Sequence, residues 1–215
     1  MRKFLLPLIA IMLLTLACSS GGRAKVTPPP SNPDGKVLFF DDFSNNNKKW
    51  DLAAEGDVRE IVDGVMRFNQ SSAKTDIWTL APVKAPGDVI VDVDTAFVSG
   101  SRESAIGVIC GYSSTENFHV ISFGFDGYYE IYKYVNDEYV SIASGNDTTN
   151  IKQDANKITA KCISDRLTLI SNGVVIAEGI SSDLRPGQVG LMTGSYDSVP
   201  NEFTFDNLII SEPAK

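Results

Sequence analysis

The side chains able to do chemistry are few, and their spacing narrows what that chemistry is. His119 is the single histidine of the chain. No Gly-x-Ser-x-Gly turn surrounds any serine, so a serine nucleophile lacks its strained elbow. A Cys110/His119 dyad would need an exposed, activated thiolate, and Cys110 closes the apolar run Ile106-Gly-Val-Ile-Cys110. There is no Cys-x-x-Cys spacing, and no Cys/His set fits zinc. Sugar binding makes a different demand. A pyranose ring has an apolar face and a polar rim, so it needs aromatic platforms beside hydrogen-bonding groups. Tyr128, Tyr132 and Tyr134 alternate onto one strand face together with Glu130, while Tyr129 and Ile131 point the other way. Trp78, in Asp76-Ile-Trp-Thr-Leu80, alternates against Ile77 and faces solvent. Trp78, Tyr128, Glu130, Tyr132 and Tyr134 are therefore the candidate carbohydrate-binding residues. The same row is equally compatible with cross-strand aromatic packing. Trp50 reads as a core plug near the first turn.

The elements that must position these residues read as strands throughout. Over 88–97, Val89, Val91, Val93, Thr95 and Phe97 alternate with Asp88, Ile90, Asp92, Asp94 and Ala96. A period of two with acids on one side is a half-buried strand. Similar runs occur over 65–69, 106–112, 118–125, 128–135, 139–143, 157–163, 167–171, 174–178, 188–193 and 202–210. Asp63-Gly64, Asp126-Gly127 and Asn172-Gly173 each separate two such segments. Those dipeptides accept the positive φ angles of tight hairpin turns. No segment carries a sustained helical period, and 182–185 is at most one turn. Hairpin spacing of short strands predicts an all-β, two-sheet antiparallel sandwich.

The chain opens with Arg2-Lys3, an apolar run over 4–16, and then Ala17-Cys18-Ser19-Ser20-Gly21-Gly22. Two cations and thirteen mostly apolar residues are too short for the ~20 residues of a spanning helix and read as a signal segment. The stretch resembles a bacterial lipoprotein signal, with Thr15 where that pattern usually has Leu. The resemblance implies cleavage after residue 17 and lipid on Cys18. Residues 18–35 then form a Pro/Gly/Ser-rich tether, and 36–215 form the folded domain. The expected location is the bacterial cell envelope, anchored to a membrane through Cys18 and facing outside the cytoplasm. Loss of residues 1–17 removes Arg2 and Lys3 and no acid. It leaves 17 of the 19 basic side chains against 27 acidic ones, a formal charge of −10. Nucleic acid and bare anionic membrane are disfavoured as partners, since both need a basic surface. Ile158, Ala160 and Cys162 share an apolar face opposite Thr159 and Lys161, so Cys162 points inward. In an exported chain Cys110 and Cys162 can form a disulfide as strand neighbours or facing core positions, or stay as two buried thiols.

Several phrases taken in order resemble a known family. They are Phe39-Phe-Asp-Asp-Phe43-Ser44 with Trp50; Ile106-Gly-Val-Ile-Cys-Gly-Tyr112; Asn117-Phe-His-Val-Ile-Ser-Phe123; and Asp126-Gly-Tyr-Tyr-Glu-Ile-Tyr-Lys133. Later come Asn156-Lys-Ile-Thr-Ala-Lys-Cys162, Arg166-Leu-Thr-Leu-Ile-Ser-Asn-Gly173, Gly187-Gln-Val-Gly-Leu191 and Phe203-Thr-Phe-Asp-Asn-Leu208. The series is similar to the concanavalin A-like lectin/glucanase superfamily, in its laminin-G-like and 3-keto-disaccharide-hydrolase-type branch, over residues 37–213. The resemblance implies a jelly roll. It also implies a structural Ca²⁺ where first and last strands meet, with Asp41, Asp42 and Asp206 as ligands. Laminarinase-type members carry Glu-x-Asp-x-x-Glu on one strand; Asp92-Val-Asp94-Thr-Ala-Phe97 lacks the third acid. Three functions follow as expectations. The first is a non-enzymatic module that binds a glycan or another surface partner. The second is a glycoside-active hydrolase using acids such as Asp92, Asp94 or Glu130, and the third an envelope interaction domain without a sugar ligand.

Overall fold

In the computed structural model, residues 35–84 and 87–214 are described. The signal segment 1–17, Cys18 and nearly all of the tether lie outside the described residues. Local turn chemistry sets the strand pattern. Asp63 and Gly64 have φ of 51° and 77°, and Asn172 and Gly173 have 53° and 84°. Two successive left-handed residues make the turn whose twist matches two antiparallel strands. At Asp126-Gly127 only the glycine is left-handed, and the Asp126 carboxylate instead accepts from the Tyr128 N–H at 3.0 Å. Asn136 and Asp137, with φ of 52° and 68°, build a further hairpin without glycine.

Fourteen strands result: β1 (Val37–Asp41), β2 (Val58–Val62), β3 (Val65–Gln70), β4 (Asp76–Lys84), β5 (Val89–Ser99), β6 (Ala105–Ser114) and β7 (Asn117–Gly124). They continue as β8 (Tyr128–Val135), β9 (Glu138–Asn146), β10 (Ala155–Ile163), β11 (Arg166–Ser171), β12 (Val174–Ile180), β13 (Gln188–Gly194) and β14 (Asn201–Ser211). No helix occurs among the described residues. One sheet runs β12-β11-β10-β5-β14-β3-β2, with β1 also against β14; the other runs β4-β13-β6-β7-β8-β9. The ladders are antiparallel, so the fold is the all-β two-sheet sandwich that the alternation predicts. Strand β14 changes partner along its length, pairing β3 over its first residues and β1 over its last. The switch falls at a bulge where Asn207 takes φ 52°. An extra residue there lets one strand serve two neighbours.

Between the sheets lie the inward residues of every central strand. Val91, Val93, Ile106, Val108, Ile121, Ile131, Ile158 and Leu169 are all fully buried. Phe125 stacks on Phe203 of the facing sheet at 5.9 Å between ring centres. Burial of each such side chain stabilises by roughly 1.5–3 kcal/mol. A disulfide joins Cys110 of β6 to Cys162 of β10, with Cα atoms 6.6 Å apart, and so ties one sheet to the other. Trp50 is 4 % exposed and donates its indole N–H to Asp41 at 2.7 Å, closing the first loop onto the core.

A buried polar seam lies beside the disulfide. His119 on β7 is 3 % exposed, and its Nε2 is 2.8 Å from the Ser181 hydroxyl. Lys133 donates to the same hydroxyl at 3.4 Å and forms an ion pair with Asp183. The imidazole is held neutral, its pKa pushed down to about 4 chiefly by burial and then by Lys133. Since Cys110 is in a disulfide, no thiolate stands beside His119.

Candidate functional site

The outer face of the six-stranded sheet is hollowed by small residues at its centre. Two rows cross it. Asp76 of β4 stands opposite Gly194 of β13, then Ala105 of β6 and Gly124 of β7. The next row on the same face is Trp78, Met192, Gly107, Ser122 and Glu130. Large groups thus stand at the two sides, and glycine, alanine and serine make the floor. Asp76 and Tyr132 are four strands apart, about 19 Å along the sheet at ~4.8 Å per strand. Yet the Tyr132 hydroxyl donates to Asp76 Oδ2 at 3.2 Å. Side chains cannot span that distance over a flat sheet, so the sheet is curved and this face is its concave side. The concavity holds a groove of about 850 Å³, within the size range of small-ligand clefts.

Aromatic side chains form a continuous wall along one flank. Trp78 lies 5.6 Å from Phe118, Phe118 lies 5.0 Å from Tyr134, and Tyr132 lies 5.2 Å from Tyr139, all between ring centres. Phe118, Tyr132, Ile109, Val120 and Met192 form a second apolar cluster on this face, separate from the core between the sheets. Tyr139 and Tyr196 stand half exposed at the rim, at 50 % and 49 %. These rings were placed by alternation: β8 must send Ile131 inward, so Tyr132 and Tyr134 go outward.

The carboxylates in the groove are held by tyrosine hydroxyls. Glu130 accepts from Tyr139 at Oε1 and from Tyr128 at Oε2, the latter at 3.4 Å. Burial raises the Asp76 carboxyl above its ordinary range, partly offset by the Tyr132 hydroxyl. Burial, and then the Asp76 charge, push the Tyr132 hydroxyl well up. Burial and Glu130 likewise raise Tyr128 and Tyr139. The tyrosines therefore stay protonated donors across the physiological range. Strand β4 is fixed from beneath. Gln70, fully buried, donates to the Thr75 carbonyl at 2.7 Å and accepts from Thr193 at 3.1 Å. Arg59 donates to the Trp78 carbonyl at 2.9 Å. Ser195 N–H reaches the Thr75 carbonyl at 2.9 Å, which brings Tyr196 to the rim. The frame is preformed, and it offers ring faces beside acceptors and hydroxyl donors.

The structure brings together Trp78, Tyr128, Glu130, Tyr132 and Tyr134, all of which line the groove. Asp92 and Asp94 do not join them. They lie on the outer face of the other sheet, where Asp92 accepts from Thr159 and Asp94 from Asn207 at 3.0 Å. Asp41, Asp42 and Asp206 are engaged locally. Asp41 takes the Phe43 N–H and the Trp50 indole on its two oxygens, at 2.9 and 2.7 Å. Asp42 accepts from the Ser44 N–H at 3.1 Å and Asp206 from the Asn207 N–H at 2.8 Å. Among the described residues no three His, Cys, Asp or Glu side chains converge to hold a metal ion. Sequence reasoning missed Asp76, Glu103, Asp137, Tyr139 and Tyr196, which also line the groove. Two were within reach: Asp76 shares the alternation face of Trp78, and Tyr139 stands opposite Tyr134 once the hairpin is drawn. Tyr196 sits in a loop with no periodic signal.

Comparison with known proteins bears on the fold. No protein-family profile and no curated protein matches the chain. Solved structures do. A carbohydrate-binding module, CBM66, from Bacillus subtilis matches with a TM-score of 0.57 at 15 % identity, covering 77 % of this chain and 92 % of that one. A Bacillus subtilis protein of unknown function with a galectin-like fold matches at 0.67 and 12 %, covering 85 % and 98 %. A Bacillus licheniformis beta-glucanase matches at 0.61 and 12 %, covering 85 % and 100 %. These likenesses show the concanavalin A-like jelly-roll fold of the chain.

Proposed function

We propose that the protein is a lipid-anchored, non-enzymatic module that binds glycans outside the cytoplasm through the concave groove of its six-stranded sheet. One observation carries the reading. A curved sheet hollowed by Gly194, Ala105, Gly124 and Ser122 holds an aromatic wall beside Asp76 and Glu130, each carboxylate bonded to a tyrosine hydroxyl. Ring faces meet the apolar side of a sugar, and the fixed donors and acceptors meet its rim. The fold supports it, being shared with a carbohydrate-binding module and a glucanase. The anchor is supported by the pattern before Cys18. A glycan-array screen of the protein, run with calcium and with chelator, tests the binding. Signals that disappear in Trp78→Ala are expected. An array blank under both conditions sinks the reading and leaves an envelope interaction domain without a sugar ligand. Mass spectrometry of protein from its own host tests the anchor, the expected mass being that of a chain beginning at a lipidated Cys18.

A second reading rests on Asp76 and Glu130 sharing one groove. Glycoside hydrolysis uses two carboxylates, one to protonate the leaving oxygen and one to act as nucleophile or base. Burial keeps Asp76 more protonated than an ordinary aspartate, as an acid would need. Release of new reducing ends from a bound glycan, lost in Asp76→Asn with binding retained, would select this reading over the first.

A further inference from the structure

We propose that the groove selects glycans carrying protonated amines, such as de-N-acetylated amino-sugar oligomers, over neutral and anionic ones. The inference rests on the glycan-binding reading and names the chemical class of its ligand.

Four carboxylates line the groove: Asp76, Glu103, Glu130 and Asp137. Among the described residues none of the four lies within 4.0 Å of a Lys, Arg or His nitrogen. Lys74 is the one basic side chain in the lining, and it is spent on Asp197 at 2.8 Å. The other nearby cations are engaged elsewhere. Arg59 reaches under β4 to a backbone carbonyl, Arg102 pairs with Asp154 over the Phe97 ring, and Lys133 faces the opposite side toward Asp183. Burial raises the Tyr196 hydroxyl, and Glu130, Asp76 and Asp126 add to the rise; burial and then Asp76 and Asp137 raise Tyr134. A cleft of one sign with low-dielectric walls focuses its field on whatever enters.

Tyrosine hydroxyls satisfy part of each carboxylate without neutralising it. An ionised carboxyl offers about four lone-pair sites, and Glu130 uses two. A sugar hydroxyl can take a remaining site, but an ammonium takes it with the added Coulomb attraction between two opposite unit charges. The half-exposed ring faces of Tyr139 and Tyr196 add cation–π attraction. A uronate or sulfated sugar would bring a like charge against four carboxylates, with Lys74, already paired to Asp197, the one cation among the described lining residues.

Titration calorimetry at pH 6.5 and low salt tests the proposal with four matched β-1,4 oligosaccharides: glucosamine, N-acetylglucosamine, glucose and a uronate. Tightest binding of the glucosamine oligomer is expected, by about ten-fold or more over the glucose and N-acetylglucosamine oligomers, with no detectable uronate binding. Raising salt from about 50 to about 500 mM should erode that preference and leave neutral binding unchanged. Glu130→Gln should weaken the preference several-fold while keeping the native unfolding temperature, and Asp76→Asn provides an independent second variant. Neutral oligomers binding as well as the amine, or a preference indifferent to salt, overturns the inference and leaves glycan binding standing. Failure of all four to bind overturns both.

Discussion

The outer faces of the two sheets both carry acids and meet water, yet they treat charge in opposite ways. On the eight-stranded sheet, Arg67 pairs with Glu60 and lies 3.6 Å from Glu202, and Arg166 lies 3.3 Å from Glu178. Asp92 takes the Thr159 hydroxyl, and Lys157 stands directly across from Asp94. Side chains there are answered by their cross-strand neighbours, which is how a sheet surface stabilises itself. On the six-stranded sheet the neighbours of Asp76 and Glu130 across the floor are glycine and serine, and their partners are tyrosines rather than cations. One face completes its own interactions. The other leaves ring faces and acceptors open, as a surface meant for a partner does.

The disulfide and the seam beneath both faces give the largest predicted effects, and they should fall on the two faces alike. Cys110 and Cys162 close a loop of 52 residues. The chain-entropy model assigns such a cross-link about 4 kcal/mol. Cys110→Ala with Cys162→Ala should lower stability to denaturant by that order and lose tertiary signals from both sheets in one transition. Two separate transitions would mean that the sheets are not a single cooperative unit.

Acid should act at the same seam. His119 has its folded pKa lowered to about 4 from 6.5, with Lys133, Asp183 and Arg185 the charged groups facing it. Below pH 6.5 the unfolded chain binds a proton that the folded one refuses, so stability falls as pH drops from 6.5 toward 4. At about 1.36 kcal/mol per pH unit the loss approaches 3 kcal/mol at most. Denaturant midpoints measured over that window should fall, and His119→Gln should flatten the slope there. A slope that persists in the variant would assign it to carboxylates instead.

Substitutions on the faces themselves separate them directly. Trp78→Ala should weaken glycan binding by roughly ten- to hundredfold, since an aromatic anchor in a binding groove is worth about 1.5–3 kcal/mol. Asp92→Ala, on the opposite face, should leave binding unchanged and cost stability less than about 1 kcal/mol. Equal losses of binding from both would erase the contrast.

Legibility in the sequence divided along a similar line. The sandwich, the inward Val91 and Ile158, and the shared face of Tyr132 and Tyr134 were readable, because strand period alone assigns residues to faces. Tyr128, Glu130, Tyr132 and Tyr134 were readable as one face of one strand, but Trp78 was read apart from them and the groove that joins them was not legible. Its depth comes from Gly194, Ala105 and Gly124, which lie on three different strands and meet only through register. Strands β1 and β2 carry weaker alternation than β5 and did not stand out, while β4 was read only through Trp78 alternating against Ile77. Asp76 gains its role from curvature, which brings β4 over to β8; nothing local in Asp76-Ile77-Trp78 encodes that. Asp41 shows the converse. The family resemblance implied a cation beside it, and what no motif announced is that its two oxygens take the Phe43 N–H and the Trp50 indole.

The last effect falls on stability alone, at the β11–β12 hairpin of the eight-stranded sheet. Gly173 has φ 84°, and a Cβ there would meet nothing within 4 Å. Gly173→Val therefore introduces backbone strain without a packing clash, about 1–2 kcal/mol for a branched residue in the left-handed region. It belongs to β11–β12 of the self-completed sheet, and no groove residue lies on those strands. Thermal unfolding should drop by several degrees while the affinity of the folded protein for its glycan stays as before. An unchanged unfolding temperature would show that the turn relaxes to another type. A weakened affinity at full folding would show that the two faces communicate through the core, and the division of labour between them would have to be redrawn.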